Sequence, residues 1–194
     1  HRMFGFVPEL LKLENGDDFS KLFARIEKYE GISDNMEVEI ANYLNRVSEG
    51  KLSGESKMQI RCMLREISEI ESIGDACYNM ARAVNRMFKS EDDFNEEQYG
   101  RIREIMSLCD TALDQMMNVV EDIPRANPKL TLSLEVGINE CRKRLREMNL
   151  ADINEKKYSY QIGVHYMDLV NGCEKLGDYI VNVVEAHVNH KLTS

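Results

Sequence analysis

Two stretches decide how this chain folds: "ESIGDACYN" at 71–79 and "EKLGDYIVN" at 174–182. Both place a glycine beside an aspartate inside a long helix-favouring run, where glycine costs roughly 1 kcal/mol relative to alanine. Glu71, Asp75 and Asn79 fall at i, i+4 and i+8, as do Glu174, Asp178 and Asn182, so each copy forms a ladder of oxygen donors on one helix face. Like charges at that spacing repel. Solvent, a basic neighbour or a cation taking the carboxylate and amide oxygens could each offset the repulsion. The glycine between them would let a neighbouring helix, or the groups around an ion, approach the backbone. A solvated helix face with a glycine for packing explains the same residues.

Working outward, the two motifs are 103 residues apart, since 174 − 71 = 103. The same shift brings Glu37 onto Glu140, and the helix order on either side repeats. A period of this kind reads as an internal duplication. Apolar spacing predicts six helices, over about 3–14, 17–49, 54–89, 95–122, 128–150 and 152–190. Asp17 or Asp18 is the expected N-cap of the second, Ser53 or Ser56 of the third and Asp152 of the sixth. The acidic run "KSEDDFNEE" from Lys89 reads as a connector. The expected fold class is all-α, with two tandem three-helix bundles over 1–93 and 94–194. No alternating Val/Ile/Thr run signals a strand.

Composition narrows the function. At 194 residues the chain can bury about 70 % of its unfolded surface without covalent staples. Its five cysteines are an odd number, widely spaced and within helical patterns, and they read as reduced core residues. A net charge of −9 argues against a nucleic-acid partner. The basic run "CRKRLR" at 141–146 reads as a solvated helix face. The longest uncharged run, Tyr158–Met167, falls well short of a membrane span. The opening His1-Arg2-Met3 reads as a fragment boundary with a tag remnant, and a cytosolic location is expected.

Enzymatic signatures are missing from the sequence. No Glu has a His three residues on, as a buried di-iron bundle requires. No phosphate-binding glycine loop, nucleophile elbow or zinc spacing is found. His187 and His190 read as helix C-terminal residues, favourable there through the macrodipole, and His165 as a packed side chain.

"EIESIGDACYNMA" at 69–81 and "GCEKLGDYIVNVV" at 172–184 resemble the twin E-[RK]-[IL]-G-D-x-x-x-N signature of the PhoU family. "MEVEIANYL" at 36–44 and "INECRKRLR" at 138–146 are similar to the earlier helices of PhoU-like domains that form the cytoplasmic C-terminal part of sodium-dependent phosphate cotransporters. The resemblance implies a non-catalytic regulator of phosphate uptake on the cytoplasmic side of the inner membrane. Its partner would be a membrane phosphate transporter domain of the same full-length chain, with a homodimer as a further assembly. A free-standing helical adaptor acting on a transporter or signalling partner is the alternative. It further implies iron or another divalent metal ion held by Glu71, Asp75, Glu174 and Asp178, with Asp34 and Glu37 from the second helix. Asn79 and Asn182 are the corresponding partner contacts. The second copy offers Gly137 and Asn139 where the first has Asp34 and Met36, so its second-helix carboxylates are fewer.

Overall fold

A computed structural model describes residues 1–14, 16–90, 93–124 and 126–192, with only the backbone of residue 192. These form six helices: α1 (Arg2–Leu10), α2 (Gly16–Ser48), α3 (Gly54–Lys89), α4 (Glu96–Val120), α5 (Pro128–Asn154) and α6 (Tyr160–Leu192). No strand occurs among the described residues. The all-α reading of the sequence therefore stands.

Helix ends with capping chemistry fall where expected. The Ser53 hydroxyl accepts from the Ser56 amide and starts α3. Asn95 and Gln98 form a reciprocal capping box at α4. Asn127 caps α5 ahead of Pro128, whose missing N–H costs nothing at the first helical position.

Three ends differ. Helix α1 stops at Leu10 rather than near residue 14, because Lys12 and Leu13 turn back onto Glu9 and Leu10 in tight i→i−3 bonds. Asp17 and Asp18 do not cap α2: the helix already begins at Gly16, so both lie inside its first turn, and Asn15, one half of the expected Asn-Gly stop, lies outside the described residues. Asp152 does not cap α6. It lies inside α5, and its buried carboxylate accepts from Arg101 of α4 at 2.6 Å and from Lys157 at 2.7 Å. Ser159 takes the cap, accepting from the Ile162 amide at 3.2 Å.

Two helices leave through a non-glycine residue in the left-handed region, Asp122 after α4 (φ 57°) and Lys156 after α5 (φ 59°). At each, a backbone bond back to the last turn closes the helix: Ile123 to Asn118, and Lys157 to Asp152.

The helices pack as two groups of three. In the first, α1 and α2 lie on α3; in the second, α4, α5 and α6 lie on one another. The groups join along α3 and α6, the most extensive helix pair in the molecule. These run antiparallel, as cross-pairs show: Arg65 with Glu185 (3.2 Å), His187 with Glu66 (3.0 Å), and Arg86 with Asp168 (2.7 Å). One hydrophobic core continues through this seam, from Phe4, Phe19 and Ile26 through Met80 to Leu113, Leu145 and Leu176.

The connector around the expected boundary includes Glu91 and Asp92, which lie outside the described residues. Among its described residues Phe94 alone is buried, edge-on against Tyr99 and Tyr166, while Asp93, Asn95, Glu96 and Glu97 are exposed.

The cysteines are free thiols. Although remote in sequence, Cys77, Cys109, Cys141 and Cys173 are all buried, one on each of α3, α4, α5 and α6. The Cys109 thiol donates to the Cys173 carbonyl at 3.4 Å. Cys173 in turn lies 3.9 Å from the Met80 sulfur. Burial and the neighbouring Cys173 push the Cys77 thiol up to about 12.

Candidate functional site

Because α3 and α6 are antiparallel, the two motifs run past each other near the middle of the seam. The apolar stripe of each helix faces inward, so Gly74 and Gly177 are buried while Asp75 and Asp178 stay exposed and Glu71 and Glu174 are half-buried. Each glycine faces the second helix of its own group. A Cβ on Gly74 would lie 3.4 Å from the Ser33 hydroxyl of α2, an ordinary contact. On Gly177 it would lie 3.2 Å from Ile138 Cδ1 of α5, a tighter one. The demanding glycines are others. A Cβ on Gly163 would fall 2.5 Å from Ile153 Cδ1, and one on Gly172 would overlap Met80 across the α3–α6 seam more closely still.

In the first group the expected residues come together. Asp34 and Glu37 of α2 face Glu71 and Asp75 of α3, and Glu71 shares a hydrogen bond with Asp34. Burial, then the charges of Asp34, Glu37 and Asp75, push the Glu71 carboxyl above its usual range. Glu30, one turn earlier, is raised by burial and then by Asp34, Asp75 and Glu27. Asn79 donates to both oxygens of Asp75 at 3.0 Å. None of these carboxylates has a basic partner among the described residues.

The second group is built differently. Glu135 of α5, which the motif comparison misses, stands near Asp178 and Glu174; burial and Asp178 raise its carboxyl, against a hydrogen bond from Asn139. The 103-residue shift puts Glu135 on Ile32, so no alignment of the halves flags it; only its place four residues before Asn139 could have. Glu174 has a cation, Arg142, at 3.5 Å. The "CRKRLR" run is therefore not merely a solvated face, since Arg144 also reaches Glu104 from α4. Asn182 does not mirror Asn79: it donates across the seam to Glu69 of α3 at 3.0 Å.

Asp75, Asn79 and Glu174 share one open groove of about 470 Å3 between α3 and α6, with Arg82, Arg86 and Lys175 along it. The two motifs thus meet in a surface of mixed charge. Among the described residues, no three His, Cys, Asp or Glu side chains are arranged to hold a metal ion. The carboxylates as placed do not fit an iron or divalent-metal cage, which needs several oxygens converging on one point. What the arrangement offers is a polar face, acidic on the first group and partly neutralised on the second, where Arg142 pairs with Glu174.

No helix among the described residues is long and apolar enough to cross a membrane. No family model matches the sequence, and no curated protein matches it. The crystal structure of the phosphate transport system regulatory protein PhoU from Streptococcus pneumoniae is similar in fold, with a TM-score of 0.73 at 15 % identity, over 99 % of this chain and 92 % of that one. The chain has a PhoU-like all-helical fold over its whole length.

Proposed function

We propose that this chain is a non-catalytic regulatory part of a phosphate transport system, and that it forms the cytoplasmic portion of a sodium/phosphate cotransporter. The observation that carries the reading is the whole-chain likeness in fold to a phosphate transport regulator, together with the paired motifs meeting at the centre of the α3–α6 seam. The chemistry agrees with it. The clustered carboxylates are paired with asparagine and arginine or with one another, an arrangement that recognises rather than transforms. The transporter domain of the same full-length chain is the partner.

The test is phosphate uptake in cells carrying the full-length gene with or without the segment encoding these residues. Removing the segment is expected to change how uptake responds to external phosphate while leaving transport itself intact. Uptake that responds identically with and without it would overturn the reading. A coding sequence upstream with several apolar segments of about 20 residues supports the cotransporter form. A start codon close by would instead make the chain a free-standing adaptor.

A further inference from the structure

Helix α2 is unevenly used. Phe19 and Ile26 anchor its first half in the core, but from residue 27 to its end only Leu44 is buried. That half is nevertheless not polar. Ile32, Met36, Ile40, Tyr43 and Val47 are spaced 4, 4, 3 and 4 residues apart, which puts them on one stripe of the helix. All five are exposed, Met36 to 56 % and Tyr43 to 62 %. The stripe runs about 22 Å along the axis at 1.5 Å per residue, or four turns.

The stripe is one wall of a groove. Ile32, Met36 and Ile40 face Ile67 and Ile70 of α3 across a cavity of about 470 Å3, and Ile70 is itself exposed. Scattered exposed apolar residues are ordinary on a protein surface; a contiguous row on two helices enclosing a cavity is a binding surface.

The internal repeat shows that the architecture does not require this row. Shifting by 103 residues puts Ile32, Met36, Ile40 and Tyr43 on Glu135, Asn139, Lys143 and Arg146 of α5. Val47 falls on the exposed Leu150, so four of the five equivalent positions in the second group are polar and the continuous apolar row is particular to the first group.

Charge identifies what fits. Glu37 and Glu71 line the same groove and Asp34 adjoins Glu71, while Arg2 lines it from α1 and His1 turns its ring to Asp110 and Asp114, so the groove carries a net negative charge. A second copy of this chain, docking the same face in a symmetric pair, would bring these carboxylates toward their own counterparts on a molecule of net charge −9. A surface of anionic lipid is disfavoured for the same reason. A helix with its own apolar stripe and flanking lysines or arginines satisfies both features, in the mode by which amphipathic helices enter hydrophobic grooves. We propose that the groove between the second half of α2 and α3 docks a basic amphipathic helix of a partner protein. The proposal does not depend on the transporter reading, because it is read on the purified chain alone.

The probe is a labelled 18-residue peptide with leucines at i, i+4, i+7 and i+11 and lysines on the flanks, followed by fluorescence anisotropy at physiological salt. A peptide of the same composition, scrambled so that the leucines no longer share a face, is the comparison. The first is expected to bind and the second to bind at least about tenfold more weakly. Met36→Asn with Ile40→Lys, which installs the second group's own residues at exposed positions, is expected to weaken the first peptide by at least about tenfold with unchanged helical content. Glu37→Gln with Glu71→Gln is expected to weaken it further at low salt than at high salt. Equal binding by the scrambled peptide, or unchanged binding by the Met36/Ile40 variant, would overturn the proposal. So would sedimentation showing a dimer that this variant disperses, because the occupant would then be a second copy.

Discussion

Replacing Gly172 with alanine tests the packing at the centre of the molecule. Met80 is 1 % exposed and lies against Gly172 so closely that an added Cβ would overlap Met80 Cγ and sit 3.0 Å from its sulfur. The alanine gains about 1 kcal/mol of helix preference. Against this stands the cost of an extra methyl in a filled core, about 1–3 kcal/mol. The overlap involves a mid-chain methylene rather than a free end, which puts the cost near the top of that range. We expect a net loss of about 1–2 kcal/mol. Gly74→Ala meets only an ordinary contact with Ser33 and should keep most of its helix gain, stabilising by about 0.5–1 kcal/mol. Urea unfolding followed by circular dichroism resolves the two, and each kcal/mol should move Tm by about 2–4 °C. Met80→Ala supplies the control: once that side chain is shortened, Gly172→Ala should turn stabilising, with a coupling of about 2 kcal/mol. Gly172→Ala as benign as Gly74→Ala, or a coupling below about 0.5 kcal/mol, would refute the reasoning.

Four other outcomes are expected. Asp152→Asn should cost about 3 kcal/mol at neutral pH by leaving Arg101 without its buried partner; burial opposes the charged form, but the bonds from Lys157 and Arg101 outweigh it and hold the carboxyl below its usual range. The stability from that pair is present above the ordinary carboxylate value of about 3.9 and lost as pH falls through the lower native value, so unfolding curves of the variant and the parent should converge in acid. Glu71→Gln should do the opposite: the native carboxyl is raised, its charged form is a burden above the native value, and a stability gain seen at pH 7 should vanish as pH falls toward 4.5. Lys156→Gly, relieving a left-handed residue at the end of α5, should raise stability by about 1 kcal/mol, read as a higher Tm. Protein purified without chelator should carry well below one equivalent of iron or manganese by elemental analysis, since among the described residues no three carboxylates are arranged to hold an ion; a full equivalent lost with Asp75→Ala would overturn this.

Local chemistry was legible in the sequence; remote partners were not. Ser53 announces the start of α3 because a cap acts on amides two or three residues away. Asp152 carries the same signal before a new helix, yet Arg101, 51 residues earlier, claims it for a buried ion pair. The acidic face of the first group could be anticipated from i, i+4 spacing on α3, and α2 does bring Asp34 and Glu37 to it. In the second group Glu135 escapes notice because the halves have diverged, and Arg142 because a basic run looks the same solvated or paired. The glycines teach a similar lesson. Gly74 and Gly177 stand out by their motif, while Gly163 and Gly172, which packing constrains most, have no motif at all and owe their constraint to how closely two helices approach.

The distribution of thiols makes the protein a reporter of its own opening. Cys62 is partly accessible, whereas Cys77, Cys109, Cys141 and Cys173 are buried; burial raises the Cys77 and Cys141 thiols, and the hydrogen bond with Cys173 followed by burial raises Cys109. A thiol reacts as its thiolate, so in the native state an aromatic disulfide reagent should consume one equivalent quickly. The other four become available only when α3 parts from α6 or the second group loosens. Their rate of labelling therefore counts excursions of the seam at equilibrium, without denaturant, and would slow when a ligand clamps the two halves together.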